Sequence, residues 1–179
     1  MCGNPLLSSI NLLPPPEPDP VEENFLKAEE LIPASFITPP MIYVQGNING
    51  FNVPLLLDTG AQISCMSLET AEKLGLGDLI DVRVQGKAFG VGAQPIVGKI
   101  HALELLIGSR SADSDTLDFS TAVSLLCPCS ILKKFGKMII LGLDLFYLHQ
   151  VKLNFETRCL EIGDKPLPFL SPKQVASLI

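Results

Sequence analysis

A hydrophobic run that ends on a carboxylate constrains this chain more than any other feature. Residues 51–67 read FNVPLLLDTGAQISCMS: apolar and β-branched residues lead directly into Asp58-Thr59-Gly60, with small and hydroxyl-bearing residues beyond. Aspartate is disfavoured in strands, and a charge carried into apolar surroundings costs free energy unless it is partnered. An acid at such a strand end suits a catalytic carboxylate pair, in which two acids held close share one proton and activate a water. The same tripeptide also suits a plain strand-to-turn corner, because Asp and Gly are common turn residues.

An aspartic peptidase site needs two acids, and the chain carries a single Asp-Thr/Ser-Gly tripeptide. The nearest second candidate is Ile139-Ile140-Leu141-Gly142-Leu143-Asp144, where the acid follows the glycine. A length of 179 residues suits one domain with extra chain at its ends, and is short for two lobes. The second carboxylate is therefore expected from another copy of the chain, related by a two-fold axis that brings the same patch of both subunits together. Thr59 would then hydrogen-bond across the axis, and Gly60 would let the backbones approach closely.

The remaining pattern is one of short strands. Residues 41–48 (MIYVQGNI) and 51–57 (FNVPLLL) flank Asn49-Gly50, a strong two-residue hairpin signal. Ser67 is a good N-cap for a short helix over 67–76 that Gly75 ends. Strands are expected at 80–84, on both sides of a glycine-bearing loop at 89–95, at 119–126 and at 138–141. A hairpin is expected over 151–162. Residues 127–137 read as irregular or a helical turn, and 145–149 as a short helix. Residues 109–118 are polar and acidic, as in a surface loop. Many short strands with few helices argue for an all-β, closed barrel. The expected organisation is a flexible Pro-rich lead (1–20), a short helix and linker (21–40), the folded domain (41–170) and a C-terminal tail (171–179).

Composition narrows the function. A hydrophobic fraction of 47% supports a real core, and a net charge of −6 without a long basic run gives no footprint for nucleic acid. The most apolar segment, 138–151, is too short to span a bilayer and contains Asp144, so no membrane association is expected. The N-terminus lacks a positively charged start and runs into Pro14-Pro15-Pro16, unlike a signal sequence. Five irregularly spaced cysteines favour reduced thiols and a cytoplasmic setting, with the nucleus as a second option.

Other constellations are weaker. Cys127-Pro128-Cys129 has one residue between its thiols and no second pair, which does not suit structural zinc. No metal and no cofactor is expected. His101 and His149 lack a G-x-S-x-G nucleophile nearby. Asp144 reads as an ion-paired structural acid, with Arg83 or Arg158 as partner. The loop FGVGAQP at 89–95 suits either a mobile flap over a substrate cleft or an ordinary hairpin.

Three separated stretches carry a resemblance: LLLDTGAQISCMS with its preceding hairpin, IDVRVQGKAFGVGAQPIVGKIH, and IILGLDLFYLHQVKLNFETRCLEIG. Together with the lead-in VEENFLKAEELIPASF, they resemble the retropepsin-like domain of the DNA-damage-inducible (Ddi) family of ubiquitin-linked aspartic proteases, over residues 21–169. The resemblance implies a retropepsin-like, acid-protease barrel working as a two-fold homodimer, with Asp58, Thr59 and Gly60 catalytic. It implies substrate contacts from Ala61 and from a flap that includes Phe89, Gly90, Val91, Gly92, Ala93 and Gln94. It also implies a hydrophobic-hydrophobic-Gly element at Ile140-Leu141-Gly142, and partners among protein substrates and ubiquitin or ubiquitylated proteins. The chain departs from the family in a longer connection over 109–137. The alternatives to an active endopeptidase are a catalytically silent dimeric peptide-binding module and a retroelement-derived protease.

Overall fold

The computed structural model describes residues 19–88, 93–109, 117, 118 and 120–178, without the side chains of 35 and 36. The chain forms two compact units, Met1–Pro39 and Pro40–Ile179. In the first, helix α1 (Pro20–Leu31) starts where the Asp19 side chain accepts from the Val21 and Glu22 backbone N–H groups, at 2.8 Å each. That cap satisfies two donors the helix start leaves open.

The second unit begins with β1 (Tyr43–Ile48) and β2 (Phe51–Leu57). Asn49 (φ 50°) and Gly50 (φ 86°) supply the two left-handed residues that this tight turn requires. Next come β3 (Cys65–Ser67), helix α2 (Leu68–Lys73), β4 (Gly86–Ala88), β5 (Gln94–Gly108), β6 (Val123–Leu132), β7 (Ile139–Leu141) and helix α3 (Leu143–Leu148). The Ser67 hydroxyl caps α2 by accepting from Thr70 N–H at 3.1 Å, and Gly75 leaves the helix at φ 70°. The strands run in the order β1-β2-β7-β3-β6-β5-β4, and β1 pairs again with β5. The pairing closes six strands into a mixed barrel in which β2/β7 and β3/β6 are parallel, while β4 hangs on β5 as one arm of a hairpin. Closure removes the exposed edges that an open sheet would present. The all-β barrel with short helices expected from the strand pattern is the fold observed.

The barrel is packed on two sides. Leu55, Leu57, Met66, Ile131, Ile139 and Leu141 belong to the main core, whereas their neighbours Leu56, Cys65, Leu132 and Ile140 form a second buried cluster. Successive strand residues face opposite ways, so a strand buried on both faces needs an unbroken apolar run. This need accounts for the consecutive apolar residues just before Asp58 and Gly142.

Three expectations are corrected. Residues 80–84 form no strand beyond an isolated bridge, Asp81 with Lys99, because the Asp81 carboxylate folds back to accept from Arg83 N–H at 3.0 Å. Such local side-chain bonding competes with a sheet ladder. Residues 127–132, read as irregular, lie inside β6. Pro128 is tolerated because the β5–β6 register shifts between the pairs Ile100↔Cys129 and Leu103↔Cys127, so no ladder bond is required of it. Asp144 makes no ion pair with Arg83 or Arg158 among the described residues; its partners are given below. The C-terminal part adds a three-stranded sheet of β8 (Lys152–Asn154), β9 (Cys159–Ile162) and β10 (Lys165–Pro168), then helix α4 (Pro172–Ala176) with a Ser171–Gln174 capping box.

Candidate active site

Asp58 is placed by the parallel pairing of β2 and β7. Leu57 lies opposite Leu141, and Asp58 N–H donates to the Leu141 carbonyl at 3.1 Å. The chain then turns sharply: Ala61 N–H donates to the Asp58 carbonyl at 3.2 Å, and Gly60 N–H donates to Asp58 Oδ1 at 2.9 Å. A Cβ on residue 60 would sit 3.2 Å from that same oxygen, so a side chain would crowd the carboxylate. Asp58 is half-buried, while Thr59 and Gly60 are exposed. The acid therefore stands at the barrel surface on a turn too tight to wander.

A second chain segment braces this turn. Gly142 lies against the loop so closely that a Cβ there would meet the Ile63 carbonyl carbon at 2.7 Å and the Ala61 carbonyl oxygen at 2.8 Å. The Leu143 and Asp144 N–H groups donate to the carbonyls of Ala61 (2.8 Å) and Gln62 (3.2 Å). The buried Ser64 hydroxyl accepts from Gly142 N–H at 3.0 Å and donates to Asp144 Oδ1 at 2.7 Å. Ser64 N–H reaches both Asp144 oxygens at 2.9 Å, and Leu145 N–H reaches Oδ1 at 2.8 Å. Charge-assisted bonds of this kind are about twice as strong as neutral ones. Sequence reasoning missed Ser64 and read Asp144 as a structural acid but with the wrong partner, an arginine in place of Ser64. The available signal was an acid two residues past a glycine, at the start of a short helix, where a carboxylate can accept backbone N–H groups.

Asp144 is thus spent on structure. Both its oxygens are committed to Ser64, so among the described residues this corner holds one acid, Asp58, available for chemistry. The buried Cys65 thiol nearby is pushed up to about 11 by burial, with the Asp144 and Asp58 charges adding to the effect. Burial likewise raises Cys127 to about 12 and carries Cys129 well above the usual thiol range. These three are inert core thiols, because the thiolate is the reactive form. No grouping of three or more His, Cys, Asp or Glu side chains suited to a metal occurs among the described residues.

The flap candidate divides. Ala88 on β4 pairs with Gln94 on β5, and Ala93 is exposed beside them. Phe89, Gly90, Val91 and Gly92 lie outside the described residues. Ala61, Ala88 and Ile96 all pack on the second apolar cluster, so the Asp58 loop and the hairpin stem share one apolar wall. At the root of the stem, the Asp81 carboxylate accepts from Arg83 Nε (2.8 Å) and Nη2 (2.9 Å) and bonds His101 Nε2 at 3.0 Å.

A closed barrel with a single Asp-Thr-Gly turn braced by an Ile-Leu-Gly corner has the form of a retropepsin-like aspartic protease domain. The aspartyl protease family model matches residues 33–154. The crystal structure of the retroviral protease-like domain of Ddi1 from Leishmania major superposes with a TM-score of 0.61 at 32% identity, covering 75% of this chain and 97% of that one. DNA damage-inducible protein 1 of Yarrowia lipolytica is 36% identical over 155 residues, covering 87% of this chain and 36% of the relative. The UBA domain-containing protein Mud1 of Schizosaccharomyces pombe is 33% identical over 159 residues, covering 89% and 44%. The chain belongs to the aspartyl protease family and, within it, to the Ddi type. It spans about a third to under half the length of these curated relatives.

Proposed function

We propose that two copies of this chain form an aspartic endopeptidase, each contributing its Asp58. The observation that carries this reading is the solvent-facing Asp58 turn, rigidly braced, in a chain whose neighbouring acid is already committed to Ser64. Two Asp58 carboxylates across a two-fold axis would share a proton. One would take a proton from the attacking water, and the other would donate to the scissile carbonyl oxygen as the tetrahedral intermediate forms. Each role is then exchanged as the amine departs. The shared apolar wall of Ala61, Ala88 and Ile96 supports an extended polypeptide as the substrate. Ubiquitylated proteins are the cellular substrate class we assign, supported by the UBA domain named in one relative, and the cytoplasm is the setting that reduced thiols support.

The test is cleavage of a peptide library between acidic and neutral pH by wild type and Asp58→Asn. Loss of a proton-transfer group predicts a fall of at least about 100-fold, with circular dichroism and melting unchanged. Retained cleavage by the variant would overturn the assignment, as would a wild type that cuts nothing while binding extended peptides, the behaviour of a silent binding module.

A further inference from the structure

A groove of about 480 Å³ opens beside the hairpin stem, between β4, the start of β5 and the end of β6. It is lined by the apolar Pro95, Ile96 and Val97 together with Gln85, Lys87 and Lys133, and no acidic residue lines it. The two lysines are held by the same residue. Lys87 is the strand partner of Pro95, and Lys133 N–H donates to the Pro95 carbonyl at 3.0 Å. Neither lysine makes an ion pair among the described residues, although the whole chain carries a net charge of −6. Ile96 also packs on the apolar cluster that includes Ala61, the residue following Asp58-Thr59-Gly60. A lining residue of the groove and the residue that follows the Asp58 turn thus rest on one buried cluster.

We propose that this groove is a subsite for an acidic side chain, Glu or Asp, of the polypeptide substrate, flanking the scissile bond; the proposal rests on the endopeptidase reading. A lining that combines apolar side chains with two cations fits a side chain with an aliphatic stem and a carboxylate head. A chain this acidic repels acidic segments elsewhere, so a cationic groove sets where such a segment can lie. Both lysines are exposed, so the interaction is screened and fades as ionic strength rises.

The experiment uses two peptide series that differ only in Glu or Gln at successive positions around a cleaved bond, and reads the Glu:Gln ratio of kcat/KM. Two exposed cations, at up to about 1 kcal/mol each, predict a ratio of about three- to tenfold at one position at low salt. The ratio should collapse towards one in Lys87→Gln/Lys133→Gln and persist in Lys87→Arg/Lys133→Arg. A ratio near one at every position in wild type, or a ratio that survives the Gln variant, would overturn the proposal. Fluorescence anisotropy of the same peptides on Asp58→Asn protein separates the two readings. If wild type cuts nothing, the endopeptidase assignment falls. A lysine-dependent preference for Glu in binding then still upholds the groove, and its absence sinks it.

Discussion

At the scale of single residues, the Asp58 turn depends on acids with opposite duties. Asp58 is half-buried and receives one side-chain hydrogen bond, from its own turn, whereas Asp144 receives four from Ser64 and Leu145. Removing the Asp144 carboxylate leaves the Ser64 O–H and N–H donors without their acceptor, at a cost of about 1–3 kcal/mol for each unsatisfied group. Asp144→Ala should therefore lower the unfolding free energy by about 2–4 kcal/mol in urea titrations. It should also reduce kcat more than it raises KM, because it loosens the turn that aims Asp58. A variant as stable as wild type would show that Ser64 finds other partners. The serine signals nothing in isolation: polar residues in a small-residue run have many uses, and this one is defined by a partner 80 positions away.

At the scale of elements, the β4–β5 hairpin stem is anchored by a polar cluster that joins β5 to the segment after α2. Arg83 and His101 hold the Asp81 carboxyl well below the usual carboxylate range, the Arg83 bond being the larger cause. Arg83 is correspondingly held above its usual range by the same carboxylate. Because the folded-state value of Asp81 is lowered, its contribution to stability is complete above the ordinary value of 3.8 and is lost as pH falls towards the folded one. Wild type should therefore melt above Asp81→Asn at pH 6, and the gap should narrow steadily below about pH 4. A gap that is constant between pH 6 and pH 2 would separate the effect from the ionised carboxylate. Element boundaries near here were hard to read from sequence for the same reason. Residues 80–84 alternate like a strand, but the Asp81 side chain satisfies its own backbone instead. Cys127-Pro128-Cys129 looks like a break, yet a shifted register in the partner strand absorbs the proline.

At the scale of the whole molecule, a corner that holds one uncommitted acid among the described residues has consequences beyond its own surface. Under the proposed mechanism, activity belongs to the pair. Sedimentation should give a species of twice 19.3 kDa at working concentrations. Specific activity should fall on dilution, and titrating in excess Asp58→Asn chain should extinguish cleavage as mixed pairs replace wild-type ones. Activity strictly proportional to wild-type chain, unaffected by the variant, would mean that one copy suffices.

Much of this was legible from residues alone, where the physics is local. The Asn-Gly turn, the Ser67 cap, the unbroken apolar runs of doubly buried strands and the strand-ending Asp58 each follow from short-range stereochemistry or from the period of a strand. The need for a second acid follows from counting. What required the folded molecule is whatever depends on residues distant in sequence. Parallel pairing of β2 with β7 sets Gly142 against the Asp58 turn, and Ser64 binds Asp144 across it. Pro95 gathers Lys87 and Lys133 around one groove. No periodicity records such meetings, because they arise from closing six strands into a ring, and that closure is a property of the whole chain.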